Sequence, residues 1–301
     1  MKIKQSNNLY PVLLRKIDNP PQILHCRGNV NLLAKTCISF VGTRKNSEYG
    51  SILTEKLIAE IAHLDVVIVS GLAEGIDTFA HQAALEYGLP TVAVLGSGID
   101  FIYPRSNLQL AKDILKTGAI ISEHPGDSKP RQYHFPLRNR IISGLSLLTV
   151  VVEAPQKSGA LITAKYALEQ GREVATIPAD IDRPSSWGNL KLLQEGAAHP
   201  VACGDDLMSL LKLQPPLFKG ATKESLEPQI KLSKTEQKVV SALSAYRGAP
   251  LEEIIKKCQM PLQQILVALS MLELYRLVKA RGGKYILSRK YSSPCKLPQE
   301  S

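Results

Sequence analysis

At 301 residues with 44% apolar side chains, the chain is long enough for one sizeable domain and a smaller second one, which excludes wholesale disorder. Its 37 Lys and Arg against 27 Asp and Glu give a net charge of +10, which leans toward a polyanionic partner but says nothing of fold. Five dispersed cysteines (Cys26, Cys37, Cys203, Cys258 and Cys295) without a C-x-x-C pair argue for reduced thiols and against a structural zinc site.

Met1 to Asn8 are polar, with no apolar signal segment, and no window approaches the ~20 apolar residues of a membrane span. A cytoplasmic protein without membrane contact is expected. Residues 1–36, with Tyr10-Pro11 and Asn19-Pro20-Pro21, read as an irregular lead-in. From Cys37 to residue 213, short apolar runs at 37–42, 65–70, 91–95, 119–122, 147–153 and 173–177 alternate with helical stretches near 48–63, 75–87, 106–116, 159–170 and 188–196. Most runs are apolar on both faces, as buried parallel strands require. The expected fold is therefore α/β, an extended Rossmann-like, doubly wound and mostly parallel sheet.

Gln214-Pro215-Pro216, Gly220 and Pro228 mark 214–230 as a linker. Residues 234–245, 250–258 and 261–273 then read as three short helices. Arg276–Ala280 and Lys284–Leu287 read as strands joined at Arg281-Gly282-Gly283, so 231–288 is expected to be a small winged-helix domain. Its hairpin region carries Arg276, Lys279, Arg281, Lys284, Arg289 and Lys290 without an acid between them, a basic wing or a solvated surface. Residues 289–301 form a polar tail.

The strand ends carry the chemistry. Gly42-Thr43-Arg44 closes the first strand and offers backbone access, a hydroxyl and a guanidinium to a phosphate; a capped tight turn is the plainer alternative. Ser70-Gly71-Leu72-Ala73-Glu74-Gly75-Ile76-Asp77 closes the second. Asp77 and His81 at i, i+4 have the spacing of an acid/base or metal pair, but a helix cap and a single buried hydrogen bond are the favoured reading. Gly96-Ser97-Gly98, followed by Tyr103-Pro104, reads as a tight turn beside the pocket. In Phe135-Pro136-Leu137-Arg138-Asn139-Arg140, two guanidinium forks flank an amide, a pattern suited to phosphate. Lys157-Ser158-Gly159, with Thr163, opens a helix whose free N–H groups would favour an anion.

Glycine, hydroxyl and cationic groups thus converge on one sheet edge, and no nucleophile with base and orienter stands in register. The expected site comprises Gly42, Thr43, Arg44, Ser70, Gly71, Arg138, Asn139, Arg140, Lys157, Ser158, Gly159 and Thr163. Tyr133 and Phe135 are the candidate base-stacking rings. No catalytic residue, metal or cofactor is expected.

These segments in order, together with Ala80-His81, Ser122-Glu123, Ile141-Ile142-Ser143-Gly144, Ile162-Thr163-Ala164, Gly188-Asn189 and Gly196-Ala197, resemble the DNA-processing protein A (DprA/Smf) family over roughly 10–213. Pro178-Ala179 departs from the family's usual Pro-Gly, and many members carry an N-terminal helical domain where this chain has only the lead-in. The resemblance implies sequence-independent single-stranded DNA binding, self-association as a homodimer, and loading of a RecA-type recombinase in transformation and recombination, without enzymatic activity. Winged-helix C-terminal domains also occur in the family. On this reading Arg44→Ala and Arg138→Ala weaken single-strand binding without loss of stability. A competing expectation is a nucleotide phosphoribohydrolase on the same fold, with Glu123 or Asp77 assisting cleavage; a duplex-binding regulator acting through 231–288 leaves the pocket unexplained.

Overall fold

The computed structural model describes residues 1–211, 232–243, 248–275, 277–281 and 283–287. They divide into two compact units, Met1–Pro215 and Pro216–Ser301.

The first unit is built from β1 (Lys2–Lys4), α1 (Val12–Arg15), β2 (Ile23–Gly28), β3 (Thr36–Val41), α2 (Glu48–Glu60), β4 (Val66–Ser70), α3 (Ile76–Glu86) and β5 (Thr91–Leu95). It continues through α4 (Leu108–Thr117), β6 (Ala119–Ser122), α5 (His134–Leu145), β7 (Leu148–Val151), α6 (Gly159–Glu169), β8 (Glu173–Thr176), α7 (Trp187–Gln194), β9 (His199–Pro200) and α8 (Gly204–Leu210). One nine-stranded sheet runs β1-β2-β6-β5-β4-β3-β7-β8-β9. All pairings from β6 to β9 are parallel, and β1 and β2 extend the β6 edge antiparallel.

Both faces of the central strands are buried. Val67 and Val69 of β4 pack with Ile141, Ile142, Ala160 and Ala164 of α5 and α6. Val66 and Ile68 pack with Leu57, Ile58, Ala80 and Ala84 of α2 and α3 on the other face. That two-sided burial is what the uninterrupted apolar runs encode. The order reverses between β3 and β7, and such a switch point opens a crevice beyond the strands' C-terminal ends.

Three departures from expectation stand out. The lead-in 1–36 is not irregular: Ile3, Leu24 and Cys26 are buried in β1 and β2 as part of the main sheet. Segment 134–145 is a helix, because its proline occupies the first turn, where a missing N–H costs nothing. Residues 204–210 form a further helix, capped where Asp206 accepts from the backbone N–H groups of Ala202 and Cys203.

The second unit holds α9 (Lys234–Ala242), β10 (Ala249–Pro250), α10 (Leu251–Cys258), α11 (Leu262–Leu274), β11 (Val278–Arg281) and β12 (Lys284–Leu287). Its three strands pair in the order β10-β12-β11 over a core containing Val239, Ile254, Ile265, Leu269, Leu272 and Leu287. Helices followed by a hairpin make this the expected winged helix. Among the described residues, no helix is long and apolar enough to cross a membrane. The expected linker 214–230, the tail 289–301 and the wing residues Arg276, Arg289 and Lys290 lie outside the described residues, as does the side chain of Arg281.

Candidate nucleic-acid interface

The cleft lies over the C-terminal ends of β3, β4 and β5 and is lined by Arg44, Gly71, Ala73, Glu74, Tyr103, Pro104, Phe135 and Arg138. At about 50 Å³ it is a recess and does not enclose a ligand. Four chain segments build it: the β3–α2 loop, the β4–α3 turn, the loop after β5, and the first turns of α5.

Arg138 forms its floor. Its side chain is buried, and Nη1 donates to the carbonyl of Gly71 at 2.6 Å and to that of Val94. Nε donates to Asn139 Oδ1 at 3.2 Å, and Asn139 Nδ2 donates to the Gly159 carbonyl at 3.2 Å. Arg138 is therefore wired to the start of α6. Burial pulls its pKa down to about 10, and the Asp77 carboxylate opposes that shift. Asp77 accepts from the Gly71 N–H at 3.1 Å. Gly71 is thus held at its N–H by Asp77 and at its carbonyl by Arg138, which fixes the turn at the pocket floor. Desolvation raises the Asp77 pKa, and Arg138 pulls it back.

The rim is aromatic and cationic. Arg44 is exposed, and its guanidinium sits 5.4 Å from the centre of the Phe135 ring. The rings of Tyr103 and Phe135 lie 5.6 Å apart, and Tyr103 is 44% exposed. A guanidinium held over a ring keeps outward-facing N–H donors for a phosphate while the neighbouring ring face remains open to a base. Tyr133, 56% exposed, packs edge-on against His134 and accepts from Arg131 beside this rim.

The expected residues divide accordingly. Arg44, Gly71, Phe135 and Arg138 meet in the cleft, with Asn139 and Gly159 joined to it by hydrogen bonds. Arg140 does not. Two positions along a helix are about 200° apart, so it faces away from Arg138 and its Nη2 pairs with Glu123 Oε1 at 2.7 Å. Arg140 is 6% exposed and ties α5 to the segment after β6. The paired forks read from Arg138-Asn139-Arg140 are therefore one pocket arginine and one buried ion pair.

Other expected groups are engaged locally. Ser70 Oγ donates to the Phe40 carbonyl at 2.7 Å, and Thr43 Oγ1 accepts from Lys45 N–H. Gly42 joins the β3 end, and the N–H of Thr43 pairs with the Glu153 carbonyl. The buried Glu153 carboxylate accepts from the N–H of Ser47, so an anion from the protein itself already occupies the start of α2. A phosphate near Gly42-Thr43-Arg44 would be met by Arg44 and not by that helix. Ser158 caps α6 through the N–H of Ala160, Thr163 donates back to the Gly159 carbonyl, and Lys157 is exposed beside them.

The remaining motifs divide: Asp77 does not cap α3, whose N-cap is Gly75 without a side-chain bond, because its carboxylate turns back to the Gly71 N–H. His81 makes one buried hydrogen bond, Nδ1 to Thr91 Oγ1 at 2.7 Å. Gly96-Ser97-Gly98 is a turn in which Gly98 N–H donates to the Ser128 carbonyl and Ser97 Oγ to that of Phe101. Among the described residues, no group of three His, Cys, Asp or Glu side chains could hold a metal. The sequence reading assigned no role to Ala73, Glu74, Tyr103 or Pro104; their signal was membership of the loops that carry the glycines.

The family model for DNA recombination-mediator protein A matches residues 2–212, and that for the DprA winged helix domain matches 223–284. The DNA processing protein DprA of Bacillus subtilis is 47% identical over 193 residues, 64% of this chain and 65% of that protein. The chain thus spans just under two thirds of that relative's length. The X-ray structure of DNA processing protein A from Streptococcus pneumoniae superposes with a TM-score of 0.66 at 40% identity, over 69% of this chain and 73% of that one. The DNA processing protein A of Helicobacter pylori, described for its single-stranded DNA binding mode, gives a TM-score of 0.64 at 29% identity, over 70% of this chain and 96% of that one.

Proposed function

This chain belongs to the DNA recombination-mediator protein A family, and from that premise we propose that it binds single-stranded DNA without sequence preference and hands it to a RecA-type recombinase, acting as a homodimer and not as an enzyme. The observation that carries the DNA-binding step is the Arg44–Phe135 pair over the Arg138 floor. It combines hydrogen-bond donors for a phosphate with an aromatic face. The Helicobacter pylori relative's single-stranded DNA binding supports the same reading.

The phosphoribohydrolase alternative fares worse. Pockets for small ligands run to roughly 300–1,000 Å³, against about 50 Å³ here. Both carboxylates that it would enlist are committed, Asp77 to the Gly71 N–H and Glu123 to Arg140.

The test is binding of a fluorescent ~30-nucleotide single strand beside its duplex, across a salt series. Preference for the single strand, with affinity falling steeply in salt, is expected. No binding at low salt, with free base released from nucleoside monophosphates, would overturn the reading.

A further inference from the structure

A second arginine-on-aromatic pair stands on the same sheet edge. The guanidinium of Arg183 lies 4.5 Å from the centre of the Tyr49 ring, closer than Arg44 lies to Phe135. Tyr49 is 39% exposed, and nearby Trp187 is 45% exposed with its indole N–H donating to the Ile181 carbonyl at 3.0 Å. Ile181 is 84% exposed. These side chains are set on a rigid base. Asn189, fully buried, receives the N–H of Ala154 and donates to the carbonyls of Val152 and Ile177, so it joins the ends of β7 and β8 beneath α7.

The two pairs share one loop. Arg44 stands in the β3–α2 connection and Tyr49 in the first turn of α2, five residues later. Their Cα atoms are thus at most about 18 Å apart, a span that a few nucleotides cover. The chemistry of the pairs differs, however. Asp180 pairs with Arg183 at 3.4 Å, and the exposed Asp182 and Glu48 are the chain neighbours of Arg183 and Tyr49. Acidic neighbours make this a poor phosphate site, yet they leave ring faces that a base can cover.

Resting on the single-strand reading above, we infer that Tyr49, Arg183 and Trp187 form a second base-stacking site for the same strand. The strand leaves the Arg44–Phe135 cleft, crosses the ends of β3 and β7, and lays a base on this platform. The first site reads the backbone by charge; the second holds bases by stacking.

Trp187 is the chain's sole tryptophan, which makes the full-length protein its own probe. Titration with oligothymidylates of ~4 and ~20 nucleotides, followed by Trp187 emission and by anisotropy of a labelled strand, decides the question. The longer strand is expected to change Trp187 emission saturably, in step with binding. Tyr49→Ala and Arg183→Ala should each weaken the longer strand about tenfold, leave the shorter one unchanged and keep the salt slope, because stacking releases no counterions. Tight binding of the longer strand with silent Trp187 and wild-type affinity in both variants would overturn this inference alone. Failure of the wild-type protein to bind either strand would overturn the parent reading and this one together.

Discussion

The guanidinium of Arg138 fills the space in which a β-carbon at Gly71 would lie. The glycine is required there by close approach, and the arginine donates to the carbonyls of Gly71 and Val94. This burial reverses one expectation for the sequence motif. Arg138→Ala should lower stability by about 3 kcal/mol, since it removes two buried charge-assisted hydrogen bonds and the positive charge that offsets the burial of Asp77. Urea denaturation of the purified variant measures this, and an unchanged midpoint would mean that the guanidinium is dispensable to the fold. Gly71→Ala should show a similar loss, because the same side chain must move.

Arg44 is the contrasting case. It is exposed and its guanidinium lies over the Phe135 ring, so Arg44→Ala should change stability by less than about 0.5 kcal/mol. Single-strand affinity should fall about tenfold, with the slope of log affinity against log salt reduced by about 0.7, as expected for one lost phosphate contact. Anisotropy titrations at several salt concentrations read both quantities. A weaker affinity at unchanged slope would assign Arg44 to stacking.

Much of this was legible in the sequence. Runs such as Val66–Ser70, apolar on both faces, announce parallel strands, and the glycine-hydroxyl clusters mark their C-terminal ends. The lead-in was hidden because β1 is three residues long and is separated from its partner by turn-forming prolines and asparagines. The direction of Arg140 was hidden for another reason. Without knowing that 134–145 is helical, the half-turn between positions 138 and 140 cannot be read, and both arginines look equally free. Tyr49 is far in sequence from Arg183 and Trp187, and only the fold brings the Arg183 guanidinium over its ring.

His81 gives the fold a pH dependence of definite sign. The Thr91 hydroxyl donates to the Ile68 carbonyl, so it must accept from His81 Nδ1–H, and the buried Nε2 is left without a hydrogen-bond partner. Burial first, then the Arg138 charge, pushes the pKa down to about 3 from an ordinary 6.5. The unfolded chain therefore binds a proton between these values that the folded one refuses. Stability is fully present above pH 6.5 and is lost as the pH falls toward 3, on the order of a few kcal/mol. Asp77, raised by desolvation, titrates with the opposite sign and offsets part of this at the acid end. Denaturation midpoints across pH 4–7 should slope upward in the wild type and flatten in His81→Gln.

Glu123 and Arg140 separate a structural arginine from a ligand-binding one. Their ion pair is nearly closed from solvent on the arginine side, and Arg140 Nε has no partner of its own. Glu123→Gln removes the compensating charge and should cost about 3 kcal/mol, within the range for breaking a buried pair from one side. Single-strand affinity of the folded variant should remain within twofold of wild type, because the cleft lies on the other side of α5. Affinity measured at a temperature where the variant is fully folded tests this. A large loss with intact stability would return Arg140 to the phosphate path, and with it the original reading of the Arg138-Asn139-Arg140 motif as a double clamp.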